Sequence, residues 1–289
     1  MRVVELLSPA KNCDVARSAI NAGADAVYIG ANSFSARQNA ANDTAEIKSL
    51  CEYAHLFGVK VYVALNTLLK DGELSAAQTL IHDLYNAKVD AIIVQDMGIL
   101  KMDLPEITLH ASTQCDIDTP EKAKFLYEAG FDTIVLAREL SLKKIEQIAR
   151  AVPEAKIEVF VHGALCVSKS GKCYLSEAIG GRSANRGQCA QPCRMAYSLL
   201  DANGKKVAPD AYYLSLKDMN RSAFLGELID SGVSSFKIEG RLKDADYVKN
   251  TTSYYNDLLC EMEKQGLARR QSFGKVVRKP FVGDVNKVF

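Results

Sequence analysis

The fold is decided by one stretch of sequence, Thr108-Leu-His-Ala-Ser-Thr-Gln-Cys-Asp-Ile-Asp-Thr119-Pro-Glu-Lys-Ala-Lys-Phe-Leu-Tyr-Glu-Ala-Gly130-Phe-Asp-Thr-Ile-Val-Leu-Ala137. Thr119 followed by proline is a typical helix start, and Gly130 is typical of the residue just after a helix end. The β-branched runs Thr108–Ala111 and Thr133–Ala137 on either side predict strands. A strand, a helix and a second strand in this order form the βαβ unit of a parallel sheet.

The same unit repeats along the whole chain and predicts eight strands. They are Val3–Leu7, Ala26–Ile29, Lys60–Leu65, Ala91–Gln95, Thr108–Ala111, Thr133–Ala137, Ile157–Val161 and Ser235–Ile238. Between them, Asp43 and Ser141 mark further helix starts. Eight such units close most economically into an α/β fold, the (β/α)8 TIM-type barrel. An open doubly wound sheet would carry a glycine-rich loop after its first strand, where Leu7–Asn12 stands instead.

The composition is that of an ordinary globular protein, with 48% hydrophobic and 25% charged residues and a net charge of +1. The apolar runs are far shorter than the roughly 20 residues of a membrane helix. Glu5 and Lys11 interrupt any signal-peptide pattern at the start of the chain. The sequence therefore predicts a soluble cytoplasmic protein with no membrane contact, and its length predicts one barrel domain over residues 1–265.

The connection after the seventh strand is many times longer than an ordinary loop. It predicts an inserted subdomain over residues 163–218. Within it, Ala196–Leu200 and Tyr212–Leu216 are predicted to form a hairpin around the turn Asp201-Ala-Asn-Gly204. The helical pattern Ser222–Asp230 then leads back to the eighth strand.

Positive charge is concentrated in two segments of an otherwise acidic chain. From Gly163 to Lys206 there are seven Lys or Arg residues against two acids, a balance of +5. Ala268–Pro280 adds five basic residues and no acid. We predict residues 266–289 to be a basic tail outside the barrel. Basic segments of this kind suit a polyanion such as RNA.

Polar residues follow nearly every predicted strand, where a TIM-type barrel holds its chemistry. They include Asn66, Asp96, His110, Gln114, Arg138, His162, Glu239 and Arg241. Any one of them can equally cap a helix, but together they predict a pocket at the barrel mouth. We interpret His162 and Glu239 as first candidates for proton transfer, with His110 and Asp96 as further catalytic candidates. Arg138 and Arg241 are predicted to bind a carboxylate or phosphate, and Asn66 and Gln114 to contact substrate.

Four of the eight cysteines cluster at Cys166, Cys173, Cys189 and Cys193, with the spacing Cys-x6-Cys-x15-Cys-x3-Cys. Four thiolates suit zinc or an iron–sulfur cluster, and the six-residue gap is wide for structural zinc. Three alternatives stay open. Burial as small hydrophobic side chains conflicts with the polar neighbours, and two disulfides conflict with a reducing cytosol. A lone Cys166 nucleophile activated by His162 would leave three cysteines unexplained.

The stretches Glu158-Val-Phe-Val-His-Gly-Ala-Leu-Cys166 and Gly171-Lys-Cys-Tyr-Leu-Ser176 resemble the signature of the collagenase-like peptidase family U32. Further blocks follow in the family's order: Glu5–Lys11, Asp25–Gly30, Phe34–Arg37, Asp90–Asp96, His110–Gln114 and Phe236–Arg241. The resemblance covers nearly the whole chain. Family members often continue into a β-rich region, so it implies that residues 266–289 begin a further C-terminal region.

The resemblance implies either of two activities. The family carries an old peptidase label, but better-understood members hydroxylate pyrimidines in rRNA or tRNA, or act in ubiquinone synthesis, with a 4Fe-4S cluster. Residues 180–194 resemble the RNA-modifying branches. This implies C5 hydroxylation of an rRNA cytidine or a tRNA wobble uridine, a cluster on the four cysteines, and a prephenate-derived cofactor.

Lys169, Arg182, Arg186 and Arg194 are then predicted to contact RNA. A peptidase, a hydroxylase of a small molecule and a noncatalytic cluster-binding protein stay as alternatives. Proteolysis is disfavoured because neither the His-Glu-x-x-His nor the Gly-x-Ser-x-Gly motif occurs in the chain.

Overall fold

The computed structural model describes residues 1–36, 42–272 and 281–287. Twelve strands lie in this part of the chain: β1 (Arg2–Pro9), β2 (Ala26–Gly30), β3 (Lys60–Leu65), β4 (Ala91–Val94), β5 (Thr108–Ala111), β6 (Thr133–Val135), β7 (Lys156–Gly163), β8 (Tyr197–Leu200), β9 (Lys206–Ala211), β10 (Met219–Asn220), β11 (Ser235–Ile238) and β12 (Ala268–Arg270). Strands β1 to β7 and β11 are parallel neighbours and close on themselves, since β11 pairs with β1. The predicted TIM-type barrel is confirmed, and every predicted barrel strand overlaps an observed one.

Helices cover the outside of the barrel, except for α6 (Leu175–Gly180), which lies in the insertion after β7. They are α1 (Cys13–Asn21), α2 (Thr44–His55), α3 (Leu74–Asn86), α4 (Pro120–Glu128), α5 (Leu142–Ala151), α6 (Leu175–Gly180), α7 (Leu225–Asp230) and α8 (Ala245–Lys264). The side chains of Asp43, Thr119 and Ser141 accept hydrogen bonds from the first turns of α2, α4 and α5, as predicted. Between β4 and β5 the chain makes a short 3₁₀ turn, Met97–Lys101, where a regular barrel has a helix.

The barrel domain extends beyond the predicted boundary at residue 265. Strand β12 pairs in parallel with the start of β1. Arg270 is buried and donates hydrogen bonds to the carboxylate of Asp25 and to the carbonyl oxygen of Gly23. This buried ion pair makes the first part of the predicted basic tail an integral part of the fold. The predicted tail residues Lys275, Arg278 and Lys279 lie outside the described residues.

The barrel interior contains a network of buried charges. The carboxylate of Glu5 accepts hydrogen bonds from Tyr62 and Ser235 and forms an ion pair with Lys156 at 2.8 Å. Burial alone would raise the pKa of Glu5, but Lys156 and the two hydroxyl groups outweigh it and lower that pKa to about 2. The barrel is therefore held together partly by a carboxylate that must stay ionised.

The insertion begins and ends at the same place on the barrel. Gly163 pairs with Met219 across β7 and β10, so the two ends of the 163–218 segment lie side by side. Strand β8 pairs with β9, which means that the predicted second hairpin strand, Tyr212–Leu216, was wrong. The Asp201 carboxylate accepts hydrogen bonds from the backbone amides of Asn203 and Lys205. The turn is therefore short, and the second strand begins at Lys206.

Within the described ranges, no helix is both long enough and apolar enough to cross a membrane.

The Glu5 network makes the stability of the barrel depend on pH. The contribution of its ionised carboxylate is complete above the ordinary pKa of 4.5 and is lost as the pH falls from there towards 2. We expect Glu5→Gln to lower the free energy of unfolding by about 3 kcal/mol at pH 7, and by less at pH 3. Urea denaturation at both pH values measures this difference. Glu52→Gln on the exposed face of α2 is the control, and a Glu5→Gln effect of equal size at both pH values would contradict the prediction.

Candidate active site at the barrel mouth

A small cavity of 40 Å³, called here the inner cavity, lies at the C-terminal ends of the barrel strands. Its lining consists of Tyr28, Ala36, Ala64, Asn66, Ile93, Ser112, Thr113, Gln114, Arg138, Phe160, Lys237, Glu239 and Arg241. Five of the eight polar residues that the sequence predicted at the mouth are among them. They are Asn66, Gln114, Arg138, Glu239 and Arg241.

Arg138 and Glu239 form an ion pair on the wall of this cavity, with Nη2 and Oε2 2.5 Å apart. The guanidinium carbon of Arg138 lies 4.1 Å from the centre of the Phe160 ring. Its buried Nε has no hydrogen-bond partner among the described residues. Glu239 also accepts a hydrogen bond from the backbone amide of Gly240. These contacts hold both charged groups in fixed orientations.

Lys237 is a functional candidate that the sequence reasoning missed. Its ammonium forms an ion pair with the buried Glu158 at 2.6 Å and lies 4.4 Å from the centre of the Tyr28 ring. Side chains alternate along a strand, so Lys237 shares its inward face with Ser235 and Glu239. Strand alternation is the signal that identifies it, because Lys237 lies inside the strand and not after its end.

Asn66 and Gln114 are held by the polar rim around the cavity. The Asn66 amide donates to the Ser112 hydroxyl at 3.2 Å, and its oxygen accepts from the backbone amide of Ala36. The Ser112 oxygen also accepts from the backbone amide of Gln114, which leaves the hydroxyl proton to be donated. Arg241 is buried, donates to the Ser35 hydroxyl at 2.8 Å and lies over the Tyr28 ring.

His162 does not line the inner cavity. Phe160 pairs with Lys237, but His162 pairs with Ile238, so the register between β7 and β11 shifts by one residue. The ring of His162 lies instead against α8, with Nδ1 3.3 Å from the hydroxyl of Tyr255. Burial lowers the pKa of His162, and Asp218 only partly opposes this effect. The predicted role in proton transfer at the mouth therefore lacks a geometric basis.

His110 and Asp96 are likewise outside the cavity lining. His110 lies deeper in the barrel, edge-on to Tyr62, and burial together with the charge of Lys156 lowers its pKa to about 3. It is neutral at physiological pH. Asp96 accepts hydrogen bonds from the backbone amides of Leu69 and Gly98. Asp96 thus caps the 3₁₀ turn after β4, which is the structural role open to any residue at a strand end.

The insertion is seated on the loop after β5. Gly171 has a φ of +70°, and a Cβ atom there would lie 2.0 Å from the carbonyl oxygen of Gln114. Only glycine allows this approach. The hydroxyls of Ser170 and Thr113 are 3.4 Å apart, and Lys172 forms an ion pair with Asp116 at 2.5 Å. The loop that carries Cys166 and Cys173 is therefore fixed to residues that also line the inner cavity.

The basic residues of the insertion are mostly engaged within the protein. Lys169 pairs with Asp118 and Arg186 with Glu73. Arg194 donates to the carbonyl oxygens of Leu165 and Leu216 and to the hydroxyl of Ser215. Counting Lys172 with Asp116, three of the seven basic side chains of the segment pair with acids of the barrel, which compensates part of its charge. Arg182, whose Nε donates to the Gln188 carbonyl, lines the cavity described next.

A larger cavity of 390 Å³, called here the outer cavity, separates the insertion from the barrel mouth. Cys166, Cys189 and Cys193 line it together with Arg138 and Glu239, which it shares with the inner cavity. Its lining also includes Ala36, Ala164, Leu165, Arg182, Gly187, Gln188, Gln191, Arg194, Asp218, Gly240, Leu242 and Lys243. A volume of this size lies within the range of small-molecule sites, roughly 300–1,000 Å³.

The four cysteines are free thiols, of which Cys166, Cys189 and Cys193 line this cavity and Cys173 does not. Burial raises the pKa of Cys193, Arg194 opposes the rise, and Cys166, Cys189 and Cys173 add to it. The sulfur of Cys189 accepts a hydrogen bond from the backbone amide of Gln191 at 3.4 Å. Among the described residues, no group of three or more His, Cys, Asp or Glu side chains is gathered closely enough to hold a single metal ion. Four thiols are suitable donors for zinc or an iron–sulfur cluster.

The fold and site define a class: an α/β-barrel protein whose mouth is covered by an insertion with four thiols. The model of the family described as peptidase family U32 matches residues 11–289. The chain belongs to this family, and the resemblance noted in its sequence is confirmed. The solved structure of the U32 peptidase Mk0906 has the same fold, with a TM-score of 0.54, 15% identity, and coverage of 83% of this chain and 94% of that one.

Two curated relatives act on RNA according to their names. The 23S rRNA 5-hydroxycytidine C2501 synthase of Escherichia coli is 55% identical over 99% of this chain and 44% of its own length. The tRNA hydroxylation protein P of Helicobacter pylori is 36% identical over 88% of this chain and 64% of its own length. The chain thus spans less than two thirds of either relative.

The seat of the insertion can be tested at Gly171. We expect Gly171→Ala to destabilise this contact by about 2 kcal/mol, because the new methyl group meets the Gln114 carbonyl and the backbone is left-handed. Limited proteolysis and amide hydrogen exchange of residues 163–218 measure the loosening. The matched control is Gly180→Ala in α6, where a Cβ atom would meet open space. Equal protection of the insertion in both variants would contradict the assignment.

Proposed function

We propose that this chain acts in RNA modification and hydroxylates a pyrimidine at C5, with a cytidine of the large ribosomal RNA as substrate. The observation that carries the proposal is the 55% identity to the 23S rRNA 5-hydroxycytidine C2501 synthase across 99% of the chain. That span includes both the cavity residues and the cysteine insertion. The named relative that acts on tRNA is less similar, at 36% identity.

We further propose that Cys166, Cys173, Cys189 and Cys193 hold a 4Fe-4S cluster. Support comes from the four free thiols, three of which (Cys166, Cys189 and Cys193) line the 390 Å³ cavity, since a multinuclear cluster takes its thiolates at separate irons rather than at one point. The amide hydrogen bond to the Cys189 sulfur would stabilise its thiolate form. A bound cluster would supply electron transfer. The prephenate-derived cofactor implied by the family resemblance stays a prediction.

The outer cavity is the proposed position of the target base. A base has to leave its stack before an enzyme can reach C5, and a cavity of this size suits an extruded pyrimidine. Glu239 on its wall can accept a hydrogen bond from the N4 amino group of cytosine, which uracil lacks. Arg182 and Lys243 in the same lining suit the phosphates on either side of the base. Arg138 would orient Glu239 through their ion pair.

The cluster proposal is tested by metal analysis. We expect protein purified without oxygen to contain about four iron and four sulfide per chain, and Cys189→Ser to lose most of both because one thiolate ligand is removed. Cys13→Ala in α1 is the control, since Cys13 is buried in the barrel core. A colourless protein that carries zinc would contradict the proposal.

The activity is tested in cells of the source organism that lack the gene. Mass spectrometry of ribosomal and transfer RNA nucleosides should show loss of 5-hydroxycytidine from ribosomal RNA, restored by the wild-type gene. We expect Glu239→Gln to restore less than a tenth of it, because the carboxylate that contacts Arg138 and the base is lost. Glu177→Gln, on the exposed side of α6, should restore it fully. Unchanged ribosomal 5-hydroxycytidine, or casein cleavage by the purified protein, would favour another activity.

A further inference from the structure

We propose that Tyr247 is a positioning residue for Glu239. The hydroxyl of this buried tyrosine fixes the peptide group after Glu239 and thereby holds the Glu239 carboxylate against Arg138. Tyr247 lies on α8 and lines neither cavity, whereas Glu239 lies on the wall that the inner and outer cavities share. The inference rests on the proposed function, in which the Glu239 carboxylate contacts the target base.

The peptide group before Glu239 is held at both of its polar atoms. Its carbonyl oxygen, which belongs to Ile238, accepts a hydrogen bond from the hydroxyl of Tyr28 at 2.8 Å. Its amide donates to the carbonyl oxygen of His162, also at 2.8 Å. Strand β11 ends at Ile238, so a side chain takes over part of the role that a neighbouring strand has in a regular ladder. The backbone is therefore fixed up to the α-carbon of Glu239.

The peptide group after Glu239 links the hydroxyl of Tyr247 to the carboxylate. Its carbonyl oxygen accepts a hydrogen bond from the Tyr247 hydroxyl at 3.2 Å. Its amide, which belongs to Gly240, donates to Oε1 of the Glu239 carboxylate at 3.1 Å, while Oε2 contacts Arg138. A peptide group beside glycine rotates more easily than others, because no Cβ atom restricts it. The Tyr247 hydrogen bond restrains this rotation and so keeps the amide on the carboxylate.

Two glycines make room for the contact between Tyr247 and Glu239. At Gly163, with a φ of +104°, a Cβ atom would lie 2.7 Å from the Glu239 carbonyl oxygen and 3.1 Å from the Tyr247 hydroxyl. At Gly240, with a φ of +151°, a Cβ atom would lie 2.9 Å from Cε1 of the Tyr247 ring. Both positions therefore require glycine. The ends of β7 and β11 thus accommodate the same tyrosine on α8.

The Tyr247 hydroxyl keeps its proton and acts as a donor throughout the physiological pH range. Burial, together with the negative charges of Asp218 and Glu239, raises the pKa of Tyr247, and a contact with Thr251 only partly opposes this. The ring of Tyr247 also lies 4.9 Å from the ammonium of Lys243, a contact that does not need the hydroxyl. Tyr247→Phe therefore removes the hydrogen bond and keeps the packing.

NMR on the purified protein tests the positioning directly. We expect Tyr247→Phe to speed hydrogen exchange of the Gly240 amide about tenfold, because a buried carbonyl without its donor favours open states of this turn. The ¹³C signal of the Glu239 carboxyl carbon, assigned by its absence in Glu239→Gln, should move towards the signals of exposed glutamates. The control is Tyr254→Phe, which removes a hydroxyl that contacts Ser222 from the same helix and should leave both readouts unchanged.

Three NMR results would overturn the proposal. They are unchanged Gly240 exchange and carboxyl signal in Tyr247→Phe, equal changes in both tyrosine variants, and a loss of protection in Tyr247→Phe that spreads over strands β1 to β7. The last result would mean that the hydroxyl supports the barrel in general and not the Glu239 turn in particular.

The consequence for the reaction is measured in cells that lack the gene. We expect Tyr247→Phe to restore less than about a third of the ribosomal 5-hydroxycytidine, because a displaced contact group slows the reaction, and Tyr254→Phe to restore all of it. Full restoration by Tyr247→Phe would overturn the proposal. Faster Gly240 exchange in Tyr247→Phe, with no 5-hydroxycytidine made by the wild-type gene, would support the positioning of Glu239 and count against the proposed function.

Discussion

The close contact between Gly171 and the carbonyl oxygen of Gln114 is the constraint on which the rest of the site depends. It brings the cysteine segment directly onto the loop after β5, and Lys172 and Asp116 add an ion pair beside it. Gln114 also lines the inner cavity. The contact that positions the cysteine segment on the barrel therefore involves a residue of the cavity wall. The outer cavity is the space that this seating leaves between barrel and insertion.

Charge is used differently in the two halves of the molecule. Inside the barrel, Glu5 and Glu158 are buried with lysine partners, and the second pair presents Lys237 to the inner cavity. On the insertion, basic side chains such as Arg186 pair with acids of the barrel rim and serve attachment. A segment that is basic in sequence is therefore partly neutralised in the folded protein, and Arg182 and Arg194 of this segment line the outer cavity.

The sequence predicted the barrel well because its signals are local. Alternation of strands and capped helices needs only neighbouring residues, so Thr119 and Ser141 could be assigned to helix starts directly. Local signals failed where a residue's partner is distant in sequence. Asp96 and His162 follow strands, as site residues do, but one caps a turn and the other faces α8. Lys237 lies inside β11, so the rule that barrel chemistry follows strand ends does not predict it.

By itself, then, the sequence determined the (β/α)8 barrel, which follows from periodicity and helix caps, both properties of adjacent residues. Its resemblance to peptidase family U32, carried by whole blocks of residues, was enough to indicate the family. Only the tertiary structure decided which polar residues share a cavity. A one-residue register shift between β7 and β11 turns His162 away from the inner cavity. Strand alternation turns Lys237 towards that cavity. Register and close approach depend on contacts between segments far apart in the chain, and no local pattern encodes them.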